Sequence, residues 1–179
     1  HNDYCYVTAI IENPNTAYAA EHLEIKYTAY DEGGAILGTR SSYVQFMFPQ
    51  QKVAVWDQIG EFVPAKVDVD IAQVQDNYFE VWDLEADGNP DFTVSNLNDT
   101  STDYFTKVSG TVHNGYNKQT NIAVVIVMRD ANGVMLDGAM TYVDNAAPND
   151  DTAFTAQAYG KVDGYSTLEG YANPSVPLQ

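Results

Sequence analysis

The chain contains one pattern twice, and that repetition restricts its fold more than any other feature. Laid over each other at a constant offset of 99, the 24-residue windows from Asp31 to Ala54 and from Asp130 to Ala153 share Asp31/Asp130, Gly34/Gly133, Leu37/Leu136, Tyr43/Tyr142, Val44/Val143, Pro49/Pro148 and Ala54/Ala153. Seven identities exceed the roughly one or two expected of unrelated windows, so the chain reads as a duplicated module. A length of 179 residues then divides into two units of small-domain size. The implied boundaries are 1–86 and 87–179, joined at Glu85-Ala-Asp-Gly-Asn-Pro-Asp, a run of turn residues ill suited to a strand.

The two copies decide each other's secondary structure. Ala17 to Tyr27 is rich in Ala and Glu and by propensity alone suits a helix. At the same offset, however, Leu23, Ile25, Tyr27 and Ala29 fall on Ile122, Val124, Ile126 and Met128, inside a β-branched run, and the period-two alternation predicts strands in both. Asp31 and Asp130 then open hairpin turns, with Gly34 and Gly133 where positive φ is needed. Upstream, Val7, Ala9 and Ile11 before Asn13 match Val108, Gly110 and Val112 before Asn114 at an offset of 101, which predicts a loop two residues longer in the first copy. Downstream, Tyr43 to Phe48 and Val53 to Trp56 match Tyr142 to Ala147 and Thr152 to Thr155 across proline-led turns. Val67 to Ile71, Tyr78 to Leu84 and Thr167 to Tyr171 are further strand candidates. Phe92 to Leu97 reads as an opening strand of the second copy, with no counterpart after His1 in the first. The expected fold is all-β: two tandem antiparallel β-sandwiches of about seven strands each.

Composition restricts the partners. With 45% hydrophobic residues the chain can offset its ordering entropy. Eight basic against 25 acidic residues give a net charge of −17, which repels phosphate backbones and anionic lipid, so nucleic acid is not expected as a partner. No apolar run approaches the roughly 18 residues of a membrane-spanning segment, and no basic-plus-apolar leader begins the sequence. Cys5 is the sole cysteine, which excludes an intrachain disulfide and suggests a small core residue.

Tyr27-Thr-Ala-Tyr-Asp, followed by Gly34 and Leu37, with Asn13 before it and a turn at Pro49, resembles the FxLYD domain, an immunoglobulin-like sandwich of extracytoplasmic proteins and lipoproteins of Gram-positive bacteria. Ala29 stands where that signature has Leu, and Ile126-Val-Met-Arg-Asp in the second copy keeps only the Asp and the apolar pattern. The resemblance implies immunoglobulin-like sandwiches and a secreted or surface-anchored location, and it brings no catalytic residues. A looser likeness to water-stress sandwich domains of the late embryogenesis abundant class implies the same architecture.

The residues themselves predict no enzyme, no catalytic set, no cofactor and no metal site. His1 is terminal, His22 is expected in a loop, His113 is expected at a solvent-facing strand end, and no nucleophile elbow, HExxH or phosphate loop is present. Asp83, Glu85 and Asp87 before Gly88 open like an EF-hand loop, but the position needing its bidentate Glu is Val94. A solvated acidic linker is the plainer reading, a calcium-stiffened joint the sharper one. Asn149-Asp150-Asp151 reads as a turn. Among 13 tyrosines and two tryptophans, Trp56 and Trp82 are the candidates for stacking on a sugar, although core or inter-domain packing is the commoner role. Val125 and Val127 lie opposite the inferred core face, where the first copy has Lys26 and Thr28, and mark a surface packed against the first module or a partner. The resulting expectation is a non-catalytic, extracytoplasmic spacer or protein-interaction module at a cell surface, with a carbohydrate-binding module using exposed Trp or Tyr as the alternative; its partner would be an unknown protein or a surface glycan.

Overall fold

Alternating apolar residues and turn-forming Asp-x-x-Gly segments produce strands throughout the computed structural model, which describes residues 4–72, 79–81 and 90–176. The first repeat contains β1 (Tyr4–Glu12), β2 (Tyr18–Tyr30), β3 (Ile36–Met47), β4 (Lys52–Glu61), β5 (Lys66–Ile71) and β6 (Phe79–Val81). The second contains β7 (Val94–Asp99), β8 (Lys107–Asn114), β9 (Thr120–Arg129), β10 (Met135–Ala146), β11 (Asp150–Gln157) and β12 (Thr167–Pro174). Every strand pairing among the described residues is antiparallel. Ala17 to Tyr27 is strand rather than helix from Tyr18 onward.

In the first repeat β1 pairs with β4, and this ribbon faces a sheet ordered β3-β2-β5, with β6 also on β2. Cys5, Ile11, Leu23, Ile25, Tyr27, Val44, Val53 and Ile59 fill the space between them. The second repeat forms one sheet ordered β12-β9-β10-β11-β8-β7. Because β10 and β11 pair only at Met140 and Gln157, the sheet folds over there and encloses Val108, Val112, Ile122, Val124, Ile126, Ala139 and Phe154. The equivalent positions in β3 and β4, Ser41 and Gln58, form no such pair. β7 pairs with β8, whereas β1 has only β4 as a partner among the described residues.

The repeat identities resolve into backbone requirements. Asp31 and Asp130 each accept a hydrogen bond through Oδ1 from the residue four positions on, Ala35 and Val134, both at 2.8 Å, and Gly34 and Gly133 sit at φ 83° and 82°. Leu37 and Leu136 are the extra residues of the same β-bulge: Ile36 and Met135 pair with Tyr30 and Arg129, while Gly38 and Asp137 pair with Ala29 and Met128. Gln50 and Asn149, each following the shared proline, are left-handed at φ 59° and 51°. Asp150 and Asp151 belong to β11 rather than to the expected turn, and Asp151 meets His113 Nδ1 at 2.8 Å. The same cross-strand site holds Lys52 and Glu12 in the first repeat, 3.5 Å apart.

The expected two-residue loop difference is divided. Paired partners set the offset at 101 for Asn13 and Asn114, 100 for Ala20 and Thr120, and 99 for Leu23 and Ile122. One extra residue therefore lies in the β1–β2 loop. The other lies inside β2, where His22 takes φ 50° opposite Gln45, so His22 is a strand residue and not the loop residue expected.

Asn13 and Asn114 are the buried polar keystones of the two repeats. Asn13 Nδ2 donates to the carbonyls of Tyr18 and Phe48 at 2.8 and 3.0 Å, with Met47 O at 3.4 Å. Asn114 Nδ2 donates to Lys118, Ala146 and Ala147 at 3.0–3.1 Å, and each Oδ1 accepts the N–H two residues on, from Asn15 and Tyr116. One amide thus ties the β1–β2 or β8–β9 loop to the proline turn after β3 or β10. Asn114→Ala leaves several of these buried groups without partners, so it is expected to lower the unfolding free energy by about 3 kcal/mol. Urea unfolding monitored by circular dichroism checks it, with Asn13→Ala giving a comparable loss.

Candidate functional site

The second repeat's central strand is buried on both faces. Ile122, Val124, Ile126 and Met128 point into its own core, and Val125 and Val127 are also buried, 1% and 0% exposed, in a separate cluster with Ala54. Ile10, Trp56, Met135, Met140 and Tyr171 border that cluster. The packed surface marked by Val125 and Val127 is therefore covered by β1 and β4 of the first repeat. Gly138 permits the approach: a Cβ there would lie 2.8 Å from Thr8 Oγ1 and 2.9 Å from Trp56 Cδ1. A second contact joins the repeats at the proline turn, where Ala19, Phe46 and Phe48 enter the second repeat's core. Phe48 stacks on Phe92 with centroids 5.8 Å apart, and Gln51 Nε2 donates to Ala172 O at 3.1 Å.

Trp56 is half-buried in this junction. Its ring lies parallel to Tyr6 and Tyr159, with centroids 5.3 and 5.4 Å away and interplanar angles of 3°. Its indole Nε1 is buried without a hydrogen-bond partner. The nearby Asp137 carboxyl is pushed upward chiefly by burial, partly offset by the Gly138 N–H and by the indole, which lies near the carboxylate without closing a hydrogen bond of normal geometry. Trp82, Asp83, Glu85 and Asp87 lie outside the described residues, so the calcium-joint and second-tryptophan readings have no geometry here. Among the described residues no group of three or more His, Cys, Asp or Glu is placed to hold a metal, and no helix is long and apolar enough to cross a membrane. Cys5 is buried and its thiol is pushed up by that burial, opposite to the shift that activates a nucleophile.

Beside the junction a cleft of about 410 Å³ runs between the repeats, lined by Arg40, Tyr43, Trp56 and Asp57 from the first and by Tyr142 and Asn173 from the second, among others. Tyr43 and Tyr142 are repeat equivalents, 49% and 60% exposed, yet they meet at one site. Arg40 Nε donates to Asp57 Oδ1 at 3.0 Å, and Tyr27 OH and Ser42 Oγ are 2.8 Å apart at the margin. Burial, and then the Asp57 charge, push the Tyr142 phenol upward, so it stays a protonated donor. Sequence reasoning noted Tyr43 and Tyr142 only as fold-keeping identities; their convergence depends on how one repeat lies against the other. A second hollow of about 560 Å³ between Phe48, Lys52, Asp91 and Tyr171 reaches Pro90, beside residues outside the described set.

No protein-family model matches the chain, and no curated protein sequence matches it.

The Asp137 environment carries a pH signature. A carboxyl raised in the folded state contributes stability that is present below its unfolded pKa and lost as pH rises through the folded value. Asp137→Asn keeps the acceptor for Gly138 N–H and removes the buried charge, so it is expected to raise the melting temperature at pH 7 and leave it nearly unchanged at pH 3. Thermal unfolding of both proteins across that range checks the sign.

Proposed function

We propose that this protein is a non-catalytic extracytoplasmic module of two tandem immunoglobulin-like β-sandwiches, spanning 1–86 and 87–179, that acts as a rigid spacer or protein-interaction unit at a cell surface. The observation that carries the reading is the junction between repeats. Burying Val125 and Val127 contributes about 1.5–3 kcal/mol each, and the Phe48–Phe92 contact fixes the other end of the contact surface. Tandem domains joined by small polar interfaces move relative to each other, whereas an apolar junction holds one orientation. The FxLYD-like signature around Tyr27 to Asp31 supports the location and the sandwich class, and the charge of −17 suits an exposed soluble surface.

A second reading, carbohydrate binding through exposed aromatic residues, is favoured by one specific observation: two half-exposed tyrosines and an Arg–Asp pair converge on the inter-repeat cleft.

Backbone ¹⁵N relaxation tests the leading reading. A single rotational correlation time is expected for amides of both repeats. Val127→Thr, which installs the first repeat's Thr28 at the matching position, is expected to cost about 1–3 kcal/mol by burying a hydroxyl at the junction. Two distinct correlation times in the unmodified protein, or turnover of any substrate in a broad hydrolase panel, would overturn the proposal.

A further inference from the structure

We infer that the cleft between the repeats is a binding site for an uncharged oligosaccharide, with Tyr142 and Tyr43 as its aromatic contacts and the Arg40–Asp57 pair as its hydrogen-bonding anchor. This inference deepens the second reading above and rests on it.

Three properties of the cleft select that chemistry. Its volume of about 410 Å³ lies within the range of small-molecule sites, about 300–1,000 Å³. Among the described residues Arg40 and Asp57 are the only charged ones lining it, and they neutralise each other, although the chain as a whole carries −17. A cation would be better served by the acidic surface elsewhere, and an anion must approach against the field of the whole protein. A neutral ligand is subject to neither effect. Finally, the lining mixes tyrosines with planar polar groups. A pyranose presents an apolar C–H face that suits an exposed aromatic ring, and vicinal hydroxyls that suit a guanidinium or carboxylate. Among the described residues Arg40 meets Asp57 through Nε, which leaves the terminal nitrogens for a further acceptor, while Asp57, with two oxygens, can accept from a hydroxyl.

Trp56 has a different role from the one its sequence suggests. Tyr6 and Tyr159 stack on it, so it forms part of the cleft wall and not a free platform. The ligand-facing aromatic surface comes instead from the half-exposed Tyr142 and from Tyr43, which has His22 stacked on one face at 4.7 Å between centroids and is still 49% exposed. One is supplied by β3 and the other by β10, so the site exists only while both repeats are docked.

Isothermal titration with cellohexaose, chitohexaose, mannohexaose and xylohexaose, alongside a sulfated heparin hexasaccharide, tests the assignment. At least one neutral probe is expected to bind saturably, and the sulfated probe not at all. Tyr142→Ala and Tyr43→Ala are each expected to weaken that binding at least tenfold at an unchanged melting temperature, whereas Tyr104→Ala, an exposed tyrosine outside the cleft, should leave it unchanged. If a neutral probe binds but the cleft substitutions have no effect, the site is wrong and carbohydrate binding stands. If no neutral probe binds, or only the sulfated one does, the site and the carbohydrate reading fail together, leaving the spacer reading untouched.

Discussion

Strand β9 is apolar on both faces, and a strand of that kind has to be covered twice. Its inner face is covered by β8 and β11 within its own repeat. Its outer face, Val125 and Val127, is flanked within the second repeat by Met135, Met140 and Tyr171, and β1 and β4 of the first repeat complete the cover. In the first repeat the matching face of β2 carries an exposed Lys26 and a buried but polar Thr28, so it offers no comparable apolar surface. This single asymmetry sets the orientation of one repeat on the other. The parallel rings of Tyr6, Trp56 and Tyr159, the close approach at Gly138 and the cleft bounded by Tyr43 and Tyr142 are all consequences of where β4 lies on β9.

Within each repeat the corresponding constraint is a buried asparagine. A loop that crosses the end of a β-sheet core brings backbone carbonyls out of reach of both water and a neighbouring strand, and each needs a donor. Asn13 and Asn114 deliver two or three hydrogen bonds from one amide, and they do so to matching carbonyls despite a shifted loop length. The surrounding sequence tolerates change because the geometry is held at this point. An exposed cross-strand site can even change its polar partners, from Glu12 and Lys52 to His113 and Asp151, since surface pairs of this kind contribute no more than about 1 kcal/mol.

Much of the fold was legible in the residues because a duplication supplies two independent readings of one structure. Ala17 to Tyr27 looked helical alone and became a strand once Ile122 to Met128 was laid over it. The hairpin turns at Asp31 and Asp130 and the packed surface at Val125 and Val127 were legible for the same reason. What was not legible depends on long-range geometry. The amide of Asn114 reaches carbonyls more than thirty residues away, and no local pattern marks that. His22 was misplaced because an inserted residue inside a strand has the same sequence signature as a longer loop, and only pairing partners separate the two. Tyr43 and Tyr142 looked like fold-keeping identities because their meeting place forms between the copies.

Duplication also explains why a binding site would lie at the junction. Two identical modules present two identical surfaces, and neither has reason to diverge while each works alone. Docking them breaks that equivalence: β3 and β10 hold the same place in their repeats, yet β10 is bridged to β11 whereas β3 faces the cleft without that bridge. The Arg40–Asp57 pair links β3 to β4 through side chains, one residue before each of the first-repeat equivalents of Met140 and Gln157. Side chains leave space that a backbone bridge would close. The cleft is therefore a product of asymmetric docking, lined by residues from both copies, and its shape depends on the same apolar contact that packs β4 against β9.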